Sequence, residues 1–309
     1  MACAPPDLTD SLCDPRLADQ LTRLGLRGED LPTVLGWARA VAKRPNDLAR
    51  VAELISRLRA GLGQPERSGE VFEPVDRQHE LGRGVLPLLA LALAAPAVRE
   101  YQAARGIEAE VSDDTLADLG QKVVKDRQVN GSTGLHNQAW LARIWAGRFV
   151  RLGRLQYELT ASDCGILAEP VPVLSVHIDE SGPLHPDEVD ESLLRASTYV
   201  EEHFPEVGPI DWFICESWLL DPGLAHRMPG SNLADFTRRF TVWKAEEDDR
   251  DGLYFGFGIE PAPGASLPGD LDRLPADTAL RRAMLELWRE GEHVMGCSGR
   301  LPVISELTT

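Results

Sequence analysis

The sequence predicts an α/β (α+β) protein in two parts. Residues 1–135 form a helical N-terminal domain, and residues 136–309 form a mixed β-sheet flanked by helices. Three observations carry this. Apolar residues recur at helical spacing throughout the first part; near Leu152 the period drops from about 3.6 to 2; and from there strands and helices alternate as β, β, α, β, α, β, β, α.

In the first part, Leu17, Leu21 and Leu24 mark a helix that stops at Gly25. A second runs from Leu31 to Val41 with Pro45 as its breaker, and a third from Leu48 to Leu62 ends among Gly61 and Gly63. Residues 63–84 are polar and rich in turn formers, and read as a connector. The apolar run from Val85 to Val98, interrupted by Pro87 and Pro96, predicts a buried helix over Leu86–Ala95. Ser112 is the expected N-cap of the next helix, with Leu116, Leu119 and Val123 as its apolar face and Lys122, Lys125 and Arg127 toward its C-terminus. A last helix near Asn137–Val150 carries Trp140, Ile144 and Trp145.

In the second part, Leu155, Tyr157 and Leu159 alternate with Arg154, Gln156 and Glu158, the pattern of a strand with one buried face. PVLSVHI places Leu174, Val176 and Ile178 on one face, and Ser175 and His177 on the other. Val189, Leu193, Ala196, Val200 and Phe204 define the clearest helix, with Asp187 as its N-cap. IDWFICESWLL reads as a central strand, and Ser231 caps the helix SNLADFTRRF. FTVWKAEE and DGLYFGFGI, joined by an acidic turn, predict a β-hairpin on which Gly256 and Gly258 alternate. A closing helix spans Thr278–Glu290.

Composition narrows the function classes. Hydrophobic residues are 43% and charged residues 26%, a globular balance. With 32 Lys and Arg against 49 Asp and Glu the net charge is −17, and no basic run offers a nucleic-acid footprint. No nucleic-acid partner and no membrane partner is expected. Five scattered cysteines, without metal-type spacing, imply free thiols, no metal site and a reducing, cytoplasmic location. The first residues have neither a basic nor an apolar leader segment.

The strings LGRLQYEL, VLSVHIDESGPL, DWFICESWLLDP and SNLADFTRRF, together with GLHNQAWLARIWAGRFVRLGRLQYEL, resemble a two-part family of GNAT-like acyltransferases. Its members join a helical N-acyltransferase N-terminal domain to a GNAT-like C-terminal domain. The resemblance implies no tightly bound cofactor but an acyl-CoA or phosphopantetheine thioester as co-substrate. That thioester would lie where the strand ending at His177 splays from IDWFICESWLL, against the backbone of Val176 and Ile178 and near Trp218 and Asn232. A small-molecule amine or hydroxyl acceptor would enter near Glu216, Ser217 and Trp218, and an acyl-carrier protein is an alternative source of the donor. Two features depart from the family pattern. The loop DESGPLHPDEVDES holds one glycine and six acidic residues where a basic, glycine-rich cradle for pyrophosphate is usual. A tyrosine after the second splayed strand is also missing, its nearest substitutes being Ser217, His226 and Ser231.

Three residues are expected to be catalytic. His177, at a strand end, suits a general base; its plainer reading is a histidine bonded to the next turn. Glu216, in an apolar strand, would be desolvated, with its pKa raised, and would act as base or orient His177; otherwise it is a paired structural carboxylate. Ser217 can donate to the thioester oxygen or simply satisfy a strand end. Cys215 is a nucleophile only if His177 lies against it, and is otherwise inert core. Arg238 and Arg239 would meet an anionic donor, or else are solvated. Three functions stay open: acyl transfer, covalent hydrolysis or transacylation through Ser217 or Cys215, and an inert GNAT-like binding module. The absence of a G-x-S-x-G elbow weighs against the second.

Overall fold

The structure, a computed structural model, describes residues 8–261 and 267–303, so Cys3 lies outside the described residues. The chain divides into two compact units, one ending at Arg151 and the other beginning at Leu152.

The first unit is helical: α1 (Leu8–Cys13), α2 (Leu17–Arg23), α3 (Asp30–Val41), α4 (Pro45–Ala60), α5 (Val85–Ala104), α6 (Ala109–Leu116), α7 (Asp118–Asn130) and α8 (Gln138–Trp145). Pro45 opens α4, since a first-turn proline gives up an N–H that would have no partner. The connector holds two 3₁₀ turns and a minimal hairpin, β1 (Gln78–His79) with β2 (Gly82–Arg83). It is pinned by Arg50, whose Nε and Nη2 donate to the two oxygens of buried Asp76 at 2.9 and 2.8 Å.

The apolar α5 is the axis of this unit's core, with Leu21, Val34, Leu54, Leu119 and Trp145 packed into the same cluster. It runs nine residues past its expected end at Ala95. Pro96 sits on the solvent side, and the Ala92 carbonyl that Pro96 cannot bond accepts the Gln20 side-chain amide instead. The helix expected from Ser112 is two helices, broken at Ala117. Ser112 is not a cap but a buried residue inside α6, donating to the Gln102 side chain. The division between units falls after α8, whose Leu141, Ile144 and Trp145 belong to the helical core, whereas the sequence places the boundary at 135/136.

From β3 (Phe149–Leu152) onward the elements are β4 (Leu155–Ser162), β5 (Val171–His177), α9 (Pro186–His203), β6 (Trp212–Ser217), α10 (Pro222–Arg227), α11 (Asn232–Thr237), β7 (Thr241–Glu247), a single turn α12 (Asp249–Asp251), a π-helix over Gly252–Phe257, α13 (Ala279–Arg289) and β8 (Met295–Pro302). The sheet is mixed, with strand order β3-β4-β5-β6-β8-β7; β5 and β6 are parallel, while β4–β5, β6–β8 and β8–β7 are antiparallel. Helix α9 covers the face carrying Leu155 and Tyr157, where Ser192 Oγ accepts the Leu155 N–H at 3.2 Å and lies 3.0 Å from the Tyr157 hydroxyl. It starts at Pro186 after His185, so Asp187 sits in its first turn, favourable to the helix dipole, and is not the cap.

Two expectations fail here. The second arm of the predicted hairpin is helical, and Gly256 lies within it with its α-carbon turned to Met284, where an added Cβ would come within 3.1 Å of the sulfur. The strand that pairs with β7 is β8, unmarked by alternation in MGCSGRLP.

Candidate active site

Leu174 pairs with Phe213 and Ser175 with Ile214, and there the parallel β5–β6 ladder ends. Each strand runs on, β5 through His177 against Gln156 of β4, and β6 through Ser217 against Cys297 of β8. The two therefore diverge at their C-terminal ends. The facing edges of Val176–His177 and Cys215–Ser217 leave the ladder, which is the opening expected for a thioester.

Alternation fixes what each face presents. Leu174, Val176, Phe213 and Cys215 share the face that α9 covers. Glu158, Ser175, His177, Ile214, Glu216 and Ser298 share the other, as the cross-strand register requires. On that second face, polar residues are withdrawn from water: Gln156 is 1%, Glu158 4% and Ser175 5% exposed. Among them the His177 imidazole Nε2 lies 3.3 Å from Glu158 Oε2. A buried carboxylate beside an imidazole fixes its tautomer and ring orientation. Both faces of β4 are thus buried, contrary to the one-sided pattern expected of it, and Glu158 is the site residue that sequence reasoning missed. Its register is legible, two residues from the position opposite His177, but its burial is not.

Glu216 is exposed, and among the described residues it makes no hydrogen bond or ion pair. The expected desolvation is absent because alternation sends Cys215, its neighbour, into the covered face and Glu216 to the open one. It lines a cavity of about 230 Å³ with Ser217, Trp218, Lys244, Glu246 and Asp251. Burial, reinforced by the charge of Asp248, pushes the Asp251 carboxyl up to about 6. Ser217 Oγ accepts the Leu219 N–H at 3.1 Å and so caps the 3₁₀ turn that follows β6. Trp218 is buried and joins the core of α10 and α13 while edging the same cavity.

Val176 is buried and Ile178 half-buried just beyond the ladder. Asn232, first residue of α11, has its side-chain nitrogen 3.3 Å from His185 Nδ1, beside the start of α9. Arg239 also reaches that start. Its Nη1 pairs with Asp190 at 2.7 Å, its Nη2 donates to the Pro186 carbonyl at 3.4 Å, and its buried Nε has no protein acceptor. A cation therefore does stand against the acidic first turn of α9. Arg238 lies on the surface and pairs with Asp235.

The covalent alternative loses support. Cys215 is fully buried, and burial, then the charge of Glu216, pushes its thiol pKa well up; burial also raises Cys297 to about 11. Cys13, Cys164, Cys215 and Cys297 are all free. In a Cys3→Ser background without reductant, a thiol reagent is expected to modify Cys13 in the native protein and the three buried thiols only after unfolding. Native-state modification of Cys215 would contradict its burial. Among the described residues no His, Cys, Asp and Glu group is placed to hold a metal, and no helix is long and apolar enough to cross a membrane.

Comparison with curated protein sequences finds no match. Solved structures do match. An acyltransferase in complex with decanoyl-CoA and teicoplanin is 27% identical, with a TM-score of 0.82 over 96% of this chain and 93% of that one. An acyltransferase mutant in complex with octanoyl-CoA is 28% identical, with the same TM-score and the same shares. An acyltransferase in complex with CoA and 10C-teicoplanin is 28% identical, with a TM-score of 0.82 over 94% and 88%. Residues 15–147 match the N-acyltransferase N-terminal domain, and residues 149–301 match the GNAT-like C-terminal domain. With both domains in that order, a splayed β5–β6 pair and acyltransferases as its structural neighbours, the chain belongs to the family of N-acyltransferases built from these two domains and is an enzyme of that kind.

Proposed function

We propose that this enzyme transfers a medium-length acyl chain from acyl-CoA to the free amine of an acceptor, with His177 as general base. The observation that carries the reading is the His177–Glu158 pair at the mouth of the diverging β5 and β6. The similar structures that hold decanoyl-CoA, octanoyl-CoA and teicoplanin support the donor class and make a glycopeptide amine the first acceptor to test.

The chemistry follows from the arrangement. The acyl-CoA carbonyl sits between the strand ends, with backbone amides of the divergent segment polarising it. His177, oriented by Glu158, receives the amine proton as nitrogen attacks the carbonyl carbon. The C–N bond forms, the tetrahedral intermediate collapses with cleavage of the C–S bond, and the proton passes to the departing CoA thiolate. Ser217, whose oxygen is already an acceptor for Leu219 N–H, directs its own O–H toward the oxyanion or thiolate. The open cavity with Glu216, Glu246 and Asp251 receives the acceptor.

Decanoyl-CoA incubated with the enzyme and a teicoplanin-type glycopeptide bearing a free amine is expected to give an amide product and one equivalent of CoA. CoA release at the same rate without acceptor would mean hydrolysis. Transfer only from an acyl-carrier protein would replace CoA as the donor.

A further inference from the structure

The loop between β5 and α9, where the family pattern would put a glycine-rich phosphate cradle, is organised by one buried side chain from elsewhere. Arg154 stands in the turn before β4, 8% exposed, directly opposite Asp179 when the β4–β5 register is continued two pairs past Gln156–His177. Its Nη1 donates to Asp179 Oδ1 at 2.7 Å, its Nε to the Pro183 carbonyl at 2.9 Å, and its Nη2 to the Gly182 and Asp179 carbonyls at 2.5 and 3.4 Å. Asp179 Oδ1 also accepts the Ser181 hydroxyl at 2.7 Å. One guanidinium thus holds three points of a five-residue stretch that begins two residues after His177 and leads to the first turn of α9.

We infer that Arg154 is a positioning residue for the acyl-CoA donor: it fixes the 179–183 loop so that the end of β5 and the start of α9 present their groups to one ligand at once. The inference rests on the acyl-CoA reading above. The physical reason for arginine is its planar fork. The side chain meets a carboxylate and three carbonyls in fixed directions, and pairing with Asp179 balances its charge. Lysine can neutralise Asp179 but cannot hold the Gly182 and Pro183 carbonyls in the same geometry. The loop is thereby made rigid without glycine-rich sequence, and its acidity is partly cancelled within the protein, by Arg154 at Asp179 and by Arg239 at Asp190.

The test compares binding of decanoyl-CoA and of decanoyl-pantetheine, which shares the acyl chain and arm but lacks the nucleotide phosphates, by calorimetry. Because Arg154→Met leaves Asp179 buried and unpaired, it can fail to fold, so Arg154→Lys and Asp179→Asn are the working variants. Arg154→Lys is expected to weaken decanoyl-CoA binding roughly tenfold and decanoyl-pantetheine binding at most twofold, with kcat at saturating donor kept near the wild-type value. A role in stability alone would lower the melting temperature and leave both dissociation constants alone. Unchanged decanoyl-CoA binding, or equal weakening for the two thioesters, would overturn the inference. Failure of the wild-type enzyme to bind either thioester would overturn the acyl-CoA reading and, with it, this one.

Discussion

Replacing His177 with alanine is expected to lower kcat/KM for acyl transfer by about 10²–10⁴, the usual size of general-base assistance. The donor is held mainly by strand backbone, so the loss should appear in kcat more than in donor affinity. The alanine variant also takes the imidazole away from Glu158, a carboxylate whose side chain is 5% exposed. His177→Gln is therefore the cleaner change, because its amide can still donate to Glu158 while lacking a base of useful strength. Glu158→Gln tests the other half of the pair: the imidazole keeps a hydrogen-bond acceptor but loses the charged partner that orients it, so turnover should fall. Glu216→Gln should cost far less, because Glu216 is exposed and does not contact the imidazole. Full activity in a folded His177→Gln protein would remove the proposed base.

The largest stability effect is expected at Trp145. It is fully buried at the end of α8, and its indole N–H donates to the Leu91 carbonyl of α5 at 2.9 Å. Trp145→Ala removes a fully buried indole from the helical core together with its hydrogen bond to Leu91, for a cost of about 3–5 kcal/mol. Trp145→Phe keeps most of the volume and loses mainly the hydrogen bond, for about 1–3 kcal/mol. Urea unfolding of the helical signal gives both values as shifts in midpoint at constant slope. A loss below 1 kcal/mol for the alanine variant would mean that the site is not packed as described.

What could be read in advance followed locality. The step from Val189 through Leu193, Ala196 and Val200 announces α9, and the alternation in VLSVHI announces β5, because one buried face suffices to define each. The opening at the ends of β5 and β6 was foreseen through a resemblance, not through periodicity. Alternation in RLQYEL predicts Glu158 on a wet face, whereas both faces of β4 are covered. The LYFGFGI segment mimics a strand, yet its Leu253 is buried in the cluster of Met284 and Trp288, and the run coils into a π-helix. Strand β8 was invisible for the opposite reason. It lies between two strands, and its small residues are demanded by what surrounds them: a Cβ on Gly299 would come within 2.9 Å of Leu220 and 3.0 Å of Phe240.

The placement of β8 between β6 and β7 has a consequence for the order in which the nascent protein can mature. Both neighbours leave the ribosome before it, and neither finds its antiparallel partner until residues 295–302 emerge. At translation rates of about 5–20 residues per second, β6 waits on the order of seconds with an unsatisfied edge. Throughout that interval its apolar Phe213 and Ile214 and its open backbone form a template for mispairing with other chains. Helices of the first unit need no such delayed partner. The C-terminal half is thus the part of the molecule most exposed to mispairing during synthesis, independently of how stable the finished sheet is.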